Sequence, residues 1–171
     1  GLKYDSEIIE IVQNHPDFDI LLIHKTIPKR IKKFVKDVYS YDYAPFWHLK
    51  GKTKYLLNVD PSVLVIIIKN YAPDEDYLDE GEFRHKESLK LKQLKESIRE
   101  KYNPRVNGEM THDHIIHASD SELQTHKMLQ MLGYEKGVYT FGSTHKPIST
   151  PWHVNLGSNY EIEAVDIGEL Y

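Results

Sequence analysis

The residues most able to do chemistry sit close together. His112, His114, His117 and His126 fall within fifteen positions, and a neutral imidazole can act as a nucleophile, a proton acceptor or a metal ligand near neutral pH. His117 has the most distinctive setting. His114-Ile115-Ile116 reads as the end of a short buried strand, and Ser119-Asp120-Ser121-Glu122 follows as a Ser-x-x-Glu capping box that opens a helix. In such a box the Ser119 hydroxyl accepts from the Glu122 amide, and the Glu122 side chain accepts from the Ser119 amide. Leu123, Met128, Met131 and Leu132 give this helix an apolar side, and Gly133 stops it. His117 is thereby expected at the mouth of a helix N-terminus, where free N–H groups and the helix dipole favour an anion. An imidazole beside a seat for phosphate suggests phosphoryl transfer.

The same histidines allow two other readings. His112, His114 and His117 could hold a divalent metal for a hydrolase or nuclease. Their spacing matches no standard set, there is no Cys, and no His-Glu-x-x-His pair occurs, so no metal ligand is assigned. Alternatively, they are polar residues at a strand edge with ordinary hydrogen bonds.

The elements that must position His117 follow from periodicity. Asp5 or Ser6 caps a first helix with Ile8, Ile9, Ile11 and Val12 on its apolar side, ended by Asn14-His15-Pro16. Phe18–His24 reads as a buried strand, with Lys25 at its end where a ligand could sit. Pro28 starts a second helix whose Ile31, Phe34, Val35 and Val38 recur at helical spacing. Tyr39–Trp47 is aromatic and irregular, suited to covering the end of a core or stacking on a base or sugar. Tyr55–Val59 and Val63–Ile68 read as strands joined by a turn at Asp60-Pro61-Ser62, the second apolar throughout and thus buried on both sides. After an acidic connector, Asn70–Gly81, a helix from Glu82 to about Tyr102 is expected, with an Asn107-Gly108 turn beyond it. Val138–Phe141 and Tyr160–Val165 read as strands flanking a Gly142–Pro151 loop. With the ends removed, the order is βαββαβ, a ferredoxin-like α+β sandwich with an extra N-terminal helix, a strand-bearing C-terminal tail, and helices on one face of the sheet. No internal boundary is visible, so residues 1–171 are read as a single domain.

Composition narrows the function classes. The 171 residues suffice for one domain with a real core, and 40% apolar with 28% charged residues describes a soluble protein. A net charge of −4 argues against general nucleic-acid binding. The absence of Cys excludes disulfides and thiol catalysis and agrees with a cytoplasmic, reducing location. The longest apolar run, Val63–Ile68, is too short to cross a bilayer, and no signal peptide is visible.

With these motifs placed, Ile115–Ser121 resembles the active-site segment of nucleoside diphosphate kinases. That family carries Asn-x-x-His-Gly-Ser-Asp-Ser, and this chain has His-Ile-Ile-His-Ala-Ser-Asp-Ser. The resemblance makes His117 the phosphorylated nucleophile and Ser119 its phosphate-side neighbour, and sets His114 in the place of the family's asparagine. Ser97–Tyr102 is similar to the family's Thr-Ile-Arg-Gly-Asp-Phe, which gives Arg99 a phosphate contact; Arg84 is a second such arginine. Ile20–Lys25 resembles the first strand with its phosphate-binding lysine. The implied fold is again ferredoxin-like. The implied activity is a nucleotide-binding, ATP-using phosphotransferase working through a phosphohistidine, with Mg²⁺ bridging the nucleotide phosphates. A non-catalytic nucleotide- or anion-binding module would use the same seat. The expected partner is a small-molecule nucleotide, with no nucleic acid and no membrane; a homo-oligomer is compatible with the sequence.

Overall fold

A computed structural model describes residues 4–40, 44–58, 61–80, 83–103, 105–110, 115–119, 121–142 and 161–168, with backbone alone for 78–80, 83–85 and 161–168. In chain order the elements are α1 (Asp5–Gln13), β1 (Phe18–Thr26), α2 (Ile31–Val38), α3 (Phe46–Asn58), β2 (Val63–Asn70), β3 (Glu75–Glu80), β4 (Phe83–Ser88), α4 (Leu89–Tyr102), β5 (Arg105–Val106), β6 (Glu109–Met110), β7 (His117–Ala118), α5 (Glu122–Met131), a 3-10 turn at Gly137–Phe141, and β8 (Glu161–Gly168). The class is α+β. Four strands form one sheet in the order β1-β2-β8-β7, every neighbouring pair antiparallel. Separate hairpins join β3 to β4 and β5 to β6.

The sheet is covered on both faces, and β2 shows why. Its residues from Val63 to Ile68 are all fully buried, so neither face can be left to water. Leu64, Ile66 and Ile68 pack with Ile8 and Val12 of α1 and Leu91, Leu94 and Ile98 of α4. Val63, Val65 and Ile67 pack with Phe34, Val35 and Val38 of α2, Leu56 of α3, and Met128 and Leu129 of α5. This three-layer arrangement corrects the expectation of helices on one face, because an uninterrupted apolar strand demands two covers rather than one.

Three further expectations are corrected. Tyr55 to Asn58 belongs to α3 rather than to a strand. A short apolar run cannot by itself distinguish a buried helical turn from a strand. Here Pro45 starts the helix, its carbonyl accepting from the His48 amide at 2.9 Å and the Leu49 amide at 3.3 Å. The expected helix from Glu82 begins only at Leu89, since the Ser88 side chain caps it by accepting from the Leu91 amide. The preceding residues pair instead with the acidic connector, Tyr77 opposite Lys86 and Asp79 opposite Arg84, and Lys86 forms an ion pair with Glu75. Val138–Phe141 lies in the 3-10 turn, entered through Gly137 at φ +55°, a conformation that a strand does not use. The expected strand over Tyr160–Val165 corresponds to β8 over Glu161–Gly168.

Candidate functional site

His117 lies on β7, an edge strand only two residues long. The register runs His24 opposite Val65, Val65 opposite Asp166, and Asp166 opposite His117. Directly opposed residues of antiparallel strands share a face, so His117 stands on the face of Val65, the side covered by α2, α3 and α5. Ala118, its neighbour, packs into the opposite core with α1 and α4. An edge position is what makes a polar site feasible here. Further in, both faces of the sheet are closed by aliphatic side chains.

Two helices approach this edge from opposite layers, and each contributes a pair one turn apart. From α3 come His48 and Lys52; from α4 come Lys95 and Arg99. Residues four apart on a helix lie on one face, so each pair acts as a unit. Lys52 is buried, at 7% exposure. Arg99 donates from Nη2 to the carbonyl of Ile116 at 3.2 Å, which ties α4 to the residue just before His117. Its Nε is buried and has no acceptor among the described residues. Lys95 donates to the buried carboxylate of Glu87 at 2.6 Å. The Tyr39 ring, just past α2, lies 4.4 Å from the His117 ring and 5.9 Å from that of His48.

These surroundings decide the state of His117. Burial first, then the positive charges of Lys52, Lys95 and Arg99 and the nearby His48, hold its pKa well below the usual imidazole value. The ring is therefore neutral at pH 7. A neutral imidazole with cationic side chains near enough to act on its charge is an arrangement suited to an anionic ligand.

The other anticipated site residues divide. Arg99 is brought to His117. Lys25 is not: it pairs by register with Leu64 on the α1–α4 face of β1. That is the opposite edge of the sheet, three strand spacings or ~14 Å away, and Lys25 forms an ion pair there with Asp5. The Lys25 amine also holds the Asp5 carboxyl below its usual pKa. Arg84 lies on β4 opposite Asp79, and its side chain falls outside the described residues, as do His112 and His114. Among the described residues no cluster of three metal-ligating side chains occurs.

The capping arrangement is also corrected. Ser121, not Ser119, is the N-cap of α5, its side chain accepting from the Gln124 amide at 3.4 Å. Ser119 is buried with its hydroxyl 2.8 Å from that of Thr125, so it supports the turn after His117 from inside. Glu122 is buried at 2% exposure, and among the described residues neither carboxylate oxygen has a partner, the Ser119 amide included.

Sequence reasoning gave residues 48–54 no element and so did not place His48 and Lys52, and it read Tyr39 only as part of the aromatic Tyr39–Trp47 stretch, without a link to His117. A cleft of about 230 Å³ between α2 and α5, lined by Asp37, Ser40, Gln124 and Lys127 among others, includes none of the cations around His117. Comparison with protein-family models, with curated proteins and with solved structures finds no match. Among the described residues, no helix is long and apolar enough to cross a membrane.

Proposed function

We propose that the chain is a nucleotide-binding phosphotransferase that works through a phosphohistidine at His117. The observation that carries this reading is a neutral imidazole set among Lys52, Lys95 and Arg99, with the Arg99 Nε a buried donor lacking an acceptor. The lone pair of His117 attacks the terminal phosphorus of a nucleoside triphosphate. A nitrogen–phosphorus bond forms, the bond to the bridging oxygen breaks, and the nucleoside diphosphate leaves with that electron pair. Charge on the phosphoryl oxygens meets cations already in place, the kind of fixed electrostatic environment that lowers such a barrier.

The described groups around His117 are cations, imidazoles and a phenol, with Glu87 committed to Lys95. They offer Mg²⁺ no ligand set of their own, so Mg²⁺ belongs to the nucleotide in this reading, and charge neutralisation by the chain rests on its lysines and arginine. A ferredoxin-like relationship is supported by one feature, the split β-α-β unit in which β2 and β7 run parallel through α4 with β8 between them.

The test is incubation with γ-labelled ATP and Mg²⁺. Acid-labile, base-stable label on the native protein that is lost in His117→Ala is the expected result. Nucleotide-induced thermal stabilisation that survives His117→Ala, with no label in either protein, would instead identify a non-catalytic anion-binding module.

A further inference from the structure

The net charge of −4 conceals an uneven distribution. Residues 27–58 hold eight Lys and Arg against two acids, Asp37 and Asp42, so this segment carries +6 and the rest of the chain −10. The segment supplies α2 and α3, which touch one another and bury Phe34, Val35, Val38 and Leu56 in the same core. Their other sides face solvent. Elsewhere cations are neutralised locally, as in the pairs of Lys90 with Asp17, Lys95 with Glu87 and Arg105 with Glu100. On this layer Lys33 pairs with Asp37, but exposed Lys29, Arg30, Lys32, Lys36, Lys50 and Lys54 have no carboxylate partner among the described residues. Arg30 and Lys32 also crowd the start of α2, whose first turn holds no acid and whose dipole disfavours cations there. An external polyanion would turn that local cost into a gain. Acids more than ~8 Å away are screened and do not cancel the attraction, so the expectation drawn from overall charge does not hold for this face.

The outer side of α3 indicates which polyanion. Around the helix axis Phe46, Trp47, Lys50, Lys54 and Leu57 fall within about 100° of one another, on the side away from buried Lys52 and Leu56. Phe46 is 78% exposed and Trp47 72%. A helical side chain leans toward the turn before it, so a side chain at position 51 would lean over the indole. Position 51 is glycine, and a Cβ there would meet nothing within 4 Å. Leu57 lies ~16 Å along the axis from Phe46, with Lys50, Gly51 and Lys54 between them. That break denies α3 the continuous apolar face of a helix lying in a membrane surface. Open rings beside spaced cations instead match the bases and phosphates of an unpaired nucleic-acid strand. A duplex keeps its base faces stacked and would leave both rings unused.

We propose that the outer face of α2 and α3 binds single-stranded nucleic acid, with the six unpaired cations holding phosphates and Phe46 and Trp47 stacking on bases. Neither kind of contact reads the sugar, so RNA and DNA strands are equivalent to it. The face uses none of the groups around His117, and the proposal is independent of phosphoryl transfer.

The test is fluorescence anisotropy with end-labelled oligo-dT and oligo-rU of about 20 nucleotides, compared with a duplex of the same length and with phosphatidylserine-containing vesicles. Both strands should bind alike, and more tightly than the duplex. If all six cations engage, raising the salt from 50 to 200 mM should weaken binding roughly 300-fold. Lys50→Gln combined with Lys54→Gln should flatten the slope of log affinity against log salt by about 1.4. Trp47→Leu should weaken binding by about 5- to 150-fold and leave that slope unchanged. Both variants alter exposed side chains, so Tm should stay at the native value, and His117→Ala should bind strands like the native protein. Absence of strand binding at the lower salt would overturn the proposal. Duplex bound as tightly as strand, with no effect of Trp47→Leu, would reduce the face to diffuse polyelectrolyte attraction and overturn it as well. Binding to vesicles but not to strands would assign the face to a membrane instead.

Discussion

The sharpest energetic prediction concerns Glu122. This first residue of α5 is almost fully buried, and both of its carboxylate oxygens lack partners among the described residues. The polar groups nearest in sequence are engaged elsewhere: the Ser119 and Thr125 hydroxyls lie within 2.8 Å of one another, and the Ser121 side chain caps the helix. Loss of hydration alone raises the Glu122 pKa from 4.5 to about 7. Below pH 4.5 the group is protonated whether the chain is folded or not, and it costs the fold little. Between 4.5 and about 7 the folded protein holds a proton that the unfolded chain has released, so stability declines as the pH rises. Above 7 the full penalty of a buried unpaired charge applies, on the order of 3 kcal/mol for a displacement of this size.

Glu122→Gln keeps the shape and removes the charge. The variant should match the native protein at pH 4 and exceed its stability by ~3 kcal/mol at pH 8, raising Tm by roughly 6–12 °C for a chain of this length. Urea unfolding of both proteins at pH 4, 6 and 8 measures this directly. A difference independent of pH, or a glutamine variant less stable than native at pH 8, would show that the carboxylate has a compensating partner and that the reasoning is wrong.

Four other outcomes follow from the same structure. Because His117 is held neutral well below the usual imidazole range, the rate of phosphoenzyme formation should stay flat from pH 8 to below 6.5. Lys52→Met should move the fall in rate toward neutral pH and lower the rate by ~10²-fold; rapid-quench labelling across pH reads both. Lys25→Ala should leave nucleotide-induced thermal stabilisation unchanged and cost less than about 1 kcal/mol in urea unfolding, because its Asp5 ion pair is on the surface at the far edge of the sheet. Gly137→Ala should cost ~2 kcal/mol by the same measurement. Its Cβ would meet the His126 ring at 2.3 Å in a backbone of positive φ, and both the overlap and the conformation are unfavourable.

The sequence was legible where one physical signal dominated. The unbroken apolar run of β2 announced a doubly buried strand, and the helical spacing in α1 and α2 matched their observed buried faces. It was misleading where signals were short or opposed. Tyr55-Leu56-Leu57 is too brief to choose between periods, and the choice was made by Pro45 far upstream. Phe83–Ser88 contains nothing that forbids a helix; its strand depends on Glu75–Glu80 being available to pair with it. Two serines sit two positions apart before α5, and nothing local says that the first turns inward while the second caps.

The same contrast explains why only part of the candidate site was visible in the sequence. The candidate residue can be picked out locally, because the turn after it and the helix beyond it are encoded beside it. Its charges cannot. Lys52 and Arg99 both act on the charge of His117 because β7 is an edge near which the two helical layers of a three-layer fold come close to one residue. Lys25 fails for the complementary reason, since shifting one residue along β1 changes the face of the sheet it occupies. His24 shares the face of His117, yet three strands away it donates to, or accepts from, the Tyr134 hydroxyl at 3.1 Å instead. Membership of the site is therefore set by the strand order β1-β2-β8-β7 and by the two-sided cover that β2 requires. A phosphate-binding lysine should be sought on whichever helix flanks the edge, not on the strand that a motif places first.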